Sequence, residues 1–203
     1  MTTSVVGQRV RRRGLLEKLT GEARYSADLK LPGMLYGAVL RSPHPHANII
    51  SIDTSAATAL PGVLAVVTPF DVPKGRVEPD VLVLDTRVRY EGDEVAAVAA
   101  EDPETAVEAL KLIRVEYQIL PFILEAADAL RDGAVEIHSG GNLVGSQPIS
   151  VERGSVDAGF AEADLVMEGE YFIATHGPAA LEPRAVLAAW EGDKLTVWKS
   201  TRG

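Results

Sequence analysis

The stretch from Val88 to Tyr117 constrains the fold of this chain more than any other. Tyr90-Glu91-Gly92-Asp93-Glu94 reads as a turn, and it leads into the apolar run Val95-Ala96-Ala97-Val98-Ala99-Ala100. Asp102 then stands where a helix N-cap belongs, Pro103 takes the first helical position, and Glu104 lies in the first turn. Ala106, Leu110 and Ile113 fall at i, i+4 and i+7, which places them on one helix face. Val115 to Tyr117 is the next strand, closed by Leu120-Pro121. Strand, helix and strand in this order predict a βαβ or split βαβ unit.

Turn chemistry punctuates the rest. In Leu31-Pro32-Gly33-Met34 the proline presets φ and the glycine supplies the positive φ of a type II turn. A β-rich run follows, Tyr36 to Arg41 with Gly37 to Leu40 as its strand, and stops at Pro43-His44-Pro45-His46. Ile49 to Ile52 is a second strand. Asp53 or Ser55 caps a short helical turn over Ala56 to Leu60, which Leu60-Pro61-Gly62-Val63 ends. Val63 to Thr68 reads as a buried strand, Pro69 to Pro79 as a loop, and Val81 to Leu84 as a short strand. Thr2 to Thr20 has no period and reads as an extended arm. Residues 125 to 150 look irregular, with turn signals at Asp132-Gly133 and Gly140-Gly141-Asn142. Ser155 caps a short helix through Ala163, weakened by Gly159; Val166 to Ile173 reads as a strand; Ala185 to Trp190 and Leu195 to Trp198 form a hairpin around Glu191-Gly192-Asp193.

Composition narrows the function. At 203 residues and 46% hydrophobic content, the chain has room for one large domain or one and a fraction, with a real core. No apolar run has the length to cross a bilayer. Arg9, Arg11, Arg12 and Arg13 are followed by only Gly14, Leu15 and Leu16 before Glu17 and Lys18, which is not a signal-peptide layout. A cytoplasmic protein without a membrane partner is expected. A net charge of −9 does not suit nucleic acid, whose binding depends on neutralising phosphates. The cluster Arg9 to Arg13 could bind phosphate or an acidic partner, against the plainer reading of a solvated arm. With no cysteine, these 203 residues hold neither a disulfide nor a Cys-ligated iron–sulfur cluster.

No catalytic apparatus emerges from spacing. Gly140-Gly141-Asn142-Leu143-Val144-Gly145 lacks the Gly-Lys-Ser/Thr ending of a phosphate loop and reads as loop punctuation. There is no Gly-x-Gly-x-x-Gly fingerprint. His44 and His46 could point the same way on extended chain, but no cysteine or nearby carboxylate pair completes a metal site, so hydrogen-bonded loop histidines are expected there; His138 and His176 stand apart. Asp93 and Glu94, adjacent in sequence, point to opposite faces of a strand and make a poor acid–base pair, so a turn role fits them better. Glu182, in Leu181-Glu182-Pro183-Arg184, could orient a backbone or pair with Arg184. Catalytic, cofactor-binding and metal residues are therefore assigned as none.

Several segments, in order, carry a family resemblance. They are Thr20-Gly21-Glu22-Ala23-Arg24-Tyr25-Ser26-Ala27-Asp28, Leu31-Pro32-Gly33-Met34-Leu35-Tyr36-Gly37, Arg41-Ser42-Pro43-His44-Pro45-His46-Ala47, Leu60-Pro61-Gly62-Val63, and Val88 to Ala99 ending in Val115-Glu116-Tyr117. Together they resemble the α/β-hammerhead domain that opens the molybdenum-binding subunit of the xanthine dehydrogenase/aldehyde oxidase family. Gly141-Asn142-Leu143, Phe160-Ala161-Glu162-Ala163-Asp164, His176, Leu181 to Arg184 and Trp190 to Thr201 resemble the start of its molybdopterin-binding region. Gly92-Asp93-Glu94-Val95 is similar to the 4-hydroxybenzoyl-CoA reductase-like branch.

The resemblance implies an α+β fold: an N-terminal arm (1–17), a hammerhead domain (18–130), a linker (131–150) and the beginning of a β-rich molybdopterin-binding domain (151–203). It implies a molybdenum hydroxylase, which oxidises aldehydes, purines, N-heterocycles or aromatic thioesters with oxygen from water. Molybdopterin-bound molybdenum takes up the electrons, and iron–sulfur clusters and FAD carry them away. The family's glycine-rich molybdopterin motif and its general-base glutamate lie beyond Gly203, so the chain is expected to be inactive alone. Its partners would be the remaining molybdenum-subunit polypeptide, an iron–sulfur subunit and a flavin subunit. Its own roles would be structure, subunit contacts and a surface for substrate approach. The alternative is a stand-alone hammerhead binding or assembly module, and the product of the next gene downstream discriminates the two.

Overall fold

The structure, a computed structural model, describes residues 6–73, 75–78, 81–145, 150–180 and 182–200. In chain order the elements are α1 (Leu15–Thr20), a 3-10 turn (Ser26–Asp28), β1 (Tyr36–Arg41), β2 (Ala47–Asp53), α2 (Ser55–Thr58), β3 (Val63–Val67), β4 (Arg76–Glu78), β5 (Val81–Leu82), β6 (Arg87–Val88), β7 (Glu94–Ala100), α3 (Pro103–Leu112), β8 (Arg114–Ile119), α4 (Ala126–Ala129), α5 (Val156–Glu162), β9 (Val186–Glu191) and β10 (Lys194–Lys199). They divide into two compact units, one of residues 33–164 and one of residues 1–32 with 165–203. No helix among the described residues is long and apolar enough to cross a membrane.

In the larger unit, β7 runs antiparallel between β1 and β3, and β2 runs antiparallel between β6 and β8. The strand–helix–strand unit read from residues 88–117 forms, but its strands enter different sheets. Both edges of β7 are already paired, so β8 leaves α3 and pairs with β2; the unit is not a parallel βαβ crossover.

Helix α3 starts as its residues dictate. The Asp102 carboxylate accepts from the Thr105 backbone N–H and from the Thr105 hydroxyl, each at 2.7 Å, and Pro103 follows. The Thr105 backbone N–H first, then its hydroxyl, hold the Asp102 carboxyl below the usual carboxylate range. Ala106, Ala109 and Ile113 are buried, and Ala109 and Ile113, with Leu110 beside them, pack against Ala57, Ala96 and Val98. Alanine is a poor strand former, yet it recurs in β7 because the helix lies close over it; Ala96 and Ala109 have no exposed surface. Burial of a valine such as Val98 contributes roughly 1.5–3 kcal/mol. Gly62 closes the turn beneath α3 at φ 88°, and a Cβ there would meet Thr105 Cγ2 at 3.3 Å.

Four local expectations change. Strand β3 is buried on one face only: Val63 and Val66 pack inward, while Leu64 is 55% exposed, because an edge strand is covered only on the side where the helix lies. The loop at 69–79 contains β4, which pairs with β5. The segment read as irregular contains α4. Residues 166–173 form no strand, because an extended run needs a hydrogen-bonding partner and none among the described residues supplies one.

In the smaller unit, β9 and β10 pair in register from Glu191↔Lys194 to Val186↔Lys199, as the turn at Glu191-Gly192-Asp193 predicts. The Ala185 N–H donates to Ser200 Oγ at 2.9 Å and closes the open end of this hairpin. The arm expected to be extended holds the six-residue α1. Residues 2–5, Leu181, Thr201 and Arg202 lie outside the described residues.

Candidate functional site

The turn read at Tyr90 to Glu94 is the most densely bonded polar feature of the larger unit. Asp93 N–H donates to the Tyr90 carbonyl at 3.2 Å, Ser42 N–H donates to the Asp93 carbonyl at 2.8 Å, and Gly92 N–H donates to the Ser42 carbonyl at 2.8 Å. The Asp93 carboxylate caps the turn from inside. Its Oδ2 accepts from Arg89 N–H at 2.9 Å and its Oδ1 from Glu94 N–H at 3.0 Å. Burial pushes the Asp93 carboxyl up, against the pull of those two N–H groups. Glu94 opens β7 and accepts from Arg41 Nη1 at 2.8 Å; the same nitrogen donates to the Gly92 carbonyl at 2.7 Å. Arg89 Nη1 donates to Asp85 Oδ2 at 2.7 Å and to the Arg87 carbonyl at 3.0 Å. Burial, followed by the charges of Asp93 and Glu94, raises the Tyr90 phenol.

Leu82, Asp85, Arg89, Tyr90, Asp93, Glu94 and His138 line a cavity of about 290 Å³. That is the lower limit of small-molecule sites. Each carboxylate lining it already accepts from a backbone N–H or a guanidinium. Asp93 and Glu94 therefore hold the turn through these bonds, the turn role that the sequence reading gives them.

His46 is the second polar centre, 1% exposed. Its Nδ1 faces the Pro121 carbonyl, and its Nε2 lies 3.0 Å from Arg87 Nε. A carbonyl only accepts and a guanidinium only donates, so the proton sits on Nδ1 and the ring is the neutral tautomer. Arg87 Nη2 continues to the Glu136 carbonyl at 3.5 Å. Segment 129–142 is fastened further by Asn142, whose Oδ1 accepts from Ile137 N–H at 2.9 Å and whose Nδ2 donates to the Ala129 and Val135 carbonyls. His44 does not join His46; it meets the Tyr117 ring edge-on, with centroids 4.9 Å apart.

The remaining candidates stay apart. His176 is exposed and, among the described residues, its ring reaches the Ala174 carbonyl at 3.3 Å. Glu182 and Arg184 are exposed and form no ion pair with each other. Among the described residues, no group of three His, Cys, Asp or Glu side chains is placed to hold a metal ion. In the glycine-rich segment at 140–145, the Gly141 N–H donates to the His138 carbonyl at 3.2 Å. Sequence reading missed the bridging role of Arg87, whose partners His46 and Glu136 lie 41 and 49 residues away, and that of Asn142, which ties Ala129, Val135 and Ile137 within one loop.

The chain matches two domain families: aldehyde oxidase and xanthine dehydrogenase, a/b hammerhead domain, over residues 20–121, and molybdopterin cofactor-binding domain, over residues 137–203. A probable xanthine dehydrogenase subunit of Bacillus subtilis (strain 168) is 45% identical over 181 residues, covering 87% of this chain and 24% of the relative. The nicotinate dehydrogenase large molybdopterin subunit of Eubacterium barkeri is 37% identical, covering 92% of this chain and 45% of the relative. The crystal structure of quinoline 2-oxidoreductase from Pseudomonas putida 86 superposes with a TM-score of 0.80 at 34% identity, over 95% of this chain and 26% of that one. The chain thus spans between a quarter and a half of the length of these proteins.

Proposed function

Starting from a chain that belongs to the aldehyde oxidase and xanthine dehydrogenase family, with a hammerhead domain followed by the start of a molybdopterin-binding domain, we propose that it serves a molybdopterin-dependent hydroxylase or dehydrogenase as a structural part. The activity is an oxidation that takes its oxygen from water. When bound, the molybdenum cofactor supplies the electron sink, and iron–sulfur clusters and FAD on partner subunits relay the electrons. The observation that carries this reading is the agreement of fold and sequence over the same residues: a TM-score of 0.80 at 34% identity across 95% of the chain.

We assign no chemical step to this chain's own residues. Its proposed contributions are the hammerhead scaffold, contacts to the rest of the molybdenum subunit and its partners, and a surface for substrate approach. The domain limits of 18–130 and 151–203 belong to this proposal, as does a cytoplasmic location.

The test is co-purification of a tagged copy from its own host, with metal analysis of the recovered complex. Stoichiometric partner chains carrying molybdenum and iron are expected. A metal-free chain recovered without partners would overturn the reading.

A further inference from the structure

The hammerhead match ends at residue 121 and the molybdopterin-binding match begins at 137. By composition the chain that joins them is a linker, punctuated by Asp132-Gly133 and Gly140-Gly141. By bonding it is a fixed piece of the larger unit, in which all of it lies. Backbone turns run through it. Arg131 N–H donates to the Asp128 carbonyl at 3.3 Å, Ala134 N–H to the Arg131 carbonyl at 3.1 Å, and Gly141 N–H to the His138 carbonyl at 3.2 Å.

Asn142 closes these turns into one loop. Its Oδ1 accepts from the Ile137 N–H, and its Nδ2 donates to the carbonyls of Ala129 and Val135, residues 5, 13 and 7 positions back. Only a side chain with an acceptor and two donors on one planar end serves all three; a carboxylate lacks the donors and an aliphatic chain lacks both. The loop is then tied to the sheets. Arg87 of β6 donates from Nε to His46 Nε2 at 3.0 Å and from Nη2 to the Glu136 carbonyl at 3.5 Å, and His46 bonds the Pro121 carbonyl through Nδ1. The relay Pro121–His46–Arg87–Glu136 therefore bridges the last residue of the hammerhead match and the last residue before the molybdopterin-binding match.

We infer that His46, Arg87 and Asn142 are positioning residues. They make residues 122–142 a strut that fixes, on the hammerhead core, the point at which the molybdopterin-binding region begins. The inference rests on the proposed function only for what the strut serves, the joining of the hammerhead scaffold to the rest of the molybdenum subunit.

Because the chain has no cysteine, two introduced cysteines carry spin labels without background. Ser139→Cys marks the strut and Glu108→Cys, on α3, marks the core; both positions are exposed. Glu108→Cys with Leu64→Cys, on the exposed face of β3, is the control pair. Double electron–electron resonance on the 203-residue chain should give one narrow distance between 108 and 139, where a free chain the length of 129–142 would spread over roughly 20 Å. Asn142→Leu and Arg87→Met should each broaden that distance and leave the control pair narrow. A broad distance in the parent overturns the strut, and so does a distance that stays narrow in both variants. In the native host, each tagged variant should recover partner chains about tenfold less than the tagged parent, because only the fraction with the strut in place is competent to assemble. Parental recovery from a variant with a broadened distance overturns the positioning role. A parent that recovers no partner refutes the proposed function instead, and the distances then decide the strut on their own.

Discussion

Replacing His46 measures how strongly the ends of β2, β6 and β8 are tied together. Its ring is almost fully buried and bonded at both nitrogens, to the Pro121 carbonyl and to Arg87 Nε. His46→Phe keeps most of the ring volume and deletes both bonds. A buried polar group left without a partner costs roughly 1–3 kcal/mol. Pro121 is exposed and Arg87 half-buried, so water reaches both in part and the lower half of that range applies. At roughly 1–2 kcal/mol for each of the two groups, the variant should lose about 2–4 kcal/mol, a large share of the roughly 5–15 kcal/mol that stabilises a domain. With a urea m-value of roughly 1–3 kcal/mol/M, the midpoint moves by about 1 M or more. His46→Asn keeps a donor at the Nδ1 position, and His46→Gln keeps an acceptor at the Nε2 position. Each should recover part of the loss, about 1 kcal/mol. Urea titrations followed by far-UV circular dichroism read all three variants. A His46→Phe variant within about 0.5 kcal/mol of the parent, or polar variants no better than Phe, would refute the two-bond account.

Two further outcomes follow from the turns. Gly62→Ala should destabilise by about 1–2 kcal/mol from the left-handed backbone alone, with an added cost from Thr105 Cγ2 that Thr105→Ser relieves; additive effects in the double-mutant cycle would contradict the predicted clash. Asp93→Asn should cost about 1–2 kcal/mol, because one amide oxygen cannot serve the two N–H groups now bound to separate carboxylate oxygens. The pH dependence of Asp93 has a definite sign. Its carboxyl is raised in the fold above the ordinary 3.8, so the stability it contributes is fully present below 3.8 and is lost as pH rises through the folded value. The stability gap between parent and Asp93→Asn should therefore be wider in acid than at pH 7, and denaturant midpoints across that window that show a widening gap with rising pH would contradict the raised carboxyl.

Legibility in this chain follows the range over which each signal acts. Asp102-Pro103 announces α3 and Glu191-Gly192-Asp193 announces the hairpin, because a cap and a turn are settled by neighbours a few residues away. The α+β class and the family were legible for a related reason: the turns at Pro32-Gly33 and Pro61-Gly62 and the polar turn at Gly92-Asp93-Glu94 each need particular residues at particular places. What failed depended on distant partners. Residues 166–173 have strand composition, but a strand is a pairing, and composition says nothing about the partner. Val63 to Thr68 read as a buried strand, but its place at the edge of the β1-β7-β3 sheet is what leaves Leu64 facing out. His46 is the sharpest case. The expected hydrogen-bonded loop histidine is present, but spacing does not name its partners, Pro121 and Arg87, which lie far along the chain. Its place after Pro45 does not choose its partner, and the partner fixes its tautomer. Its role is therefore a property of the assembled sheets, which is why the His46 variants test the packing of the fold rather than the motif that contains it.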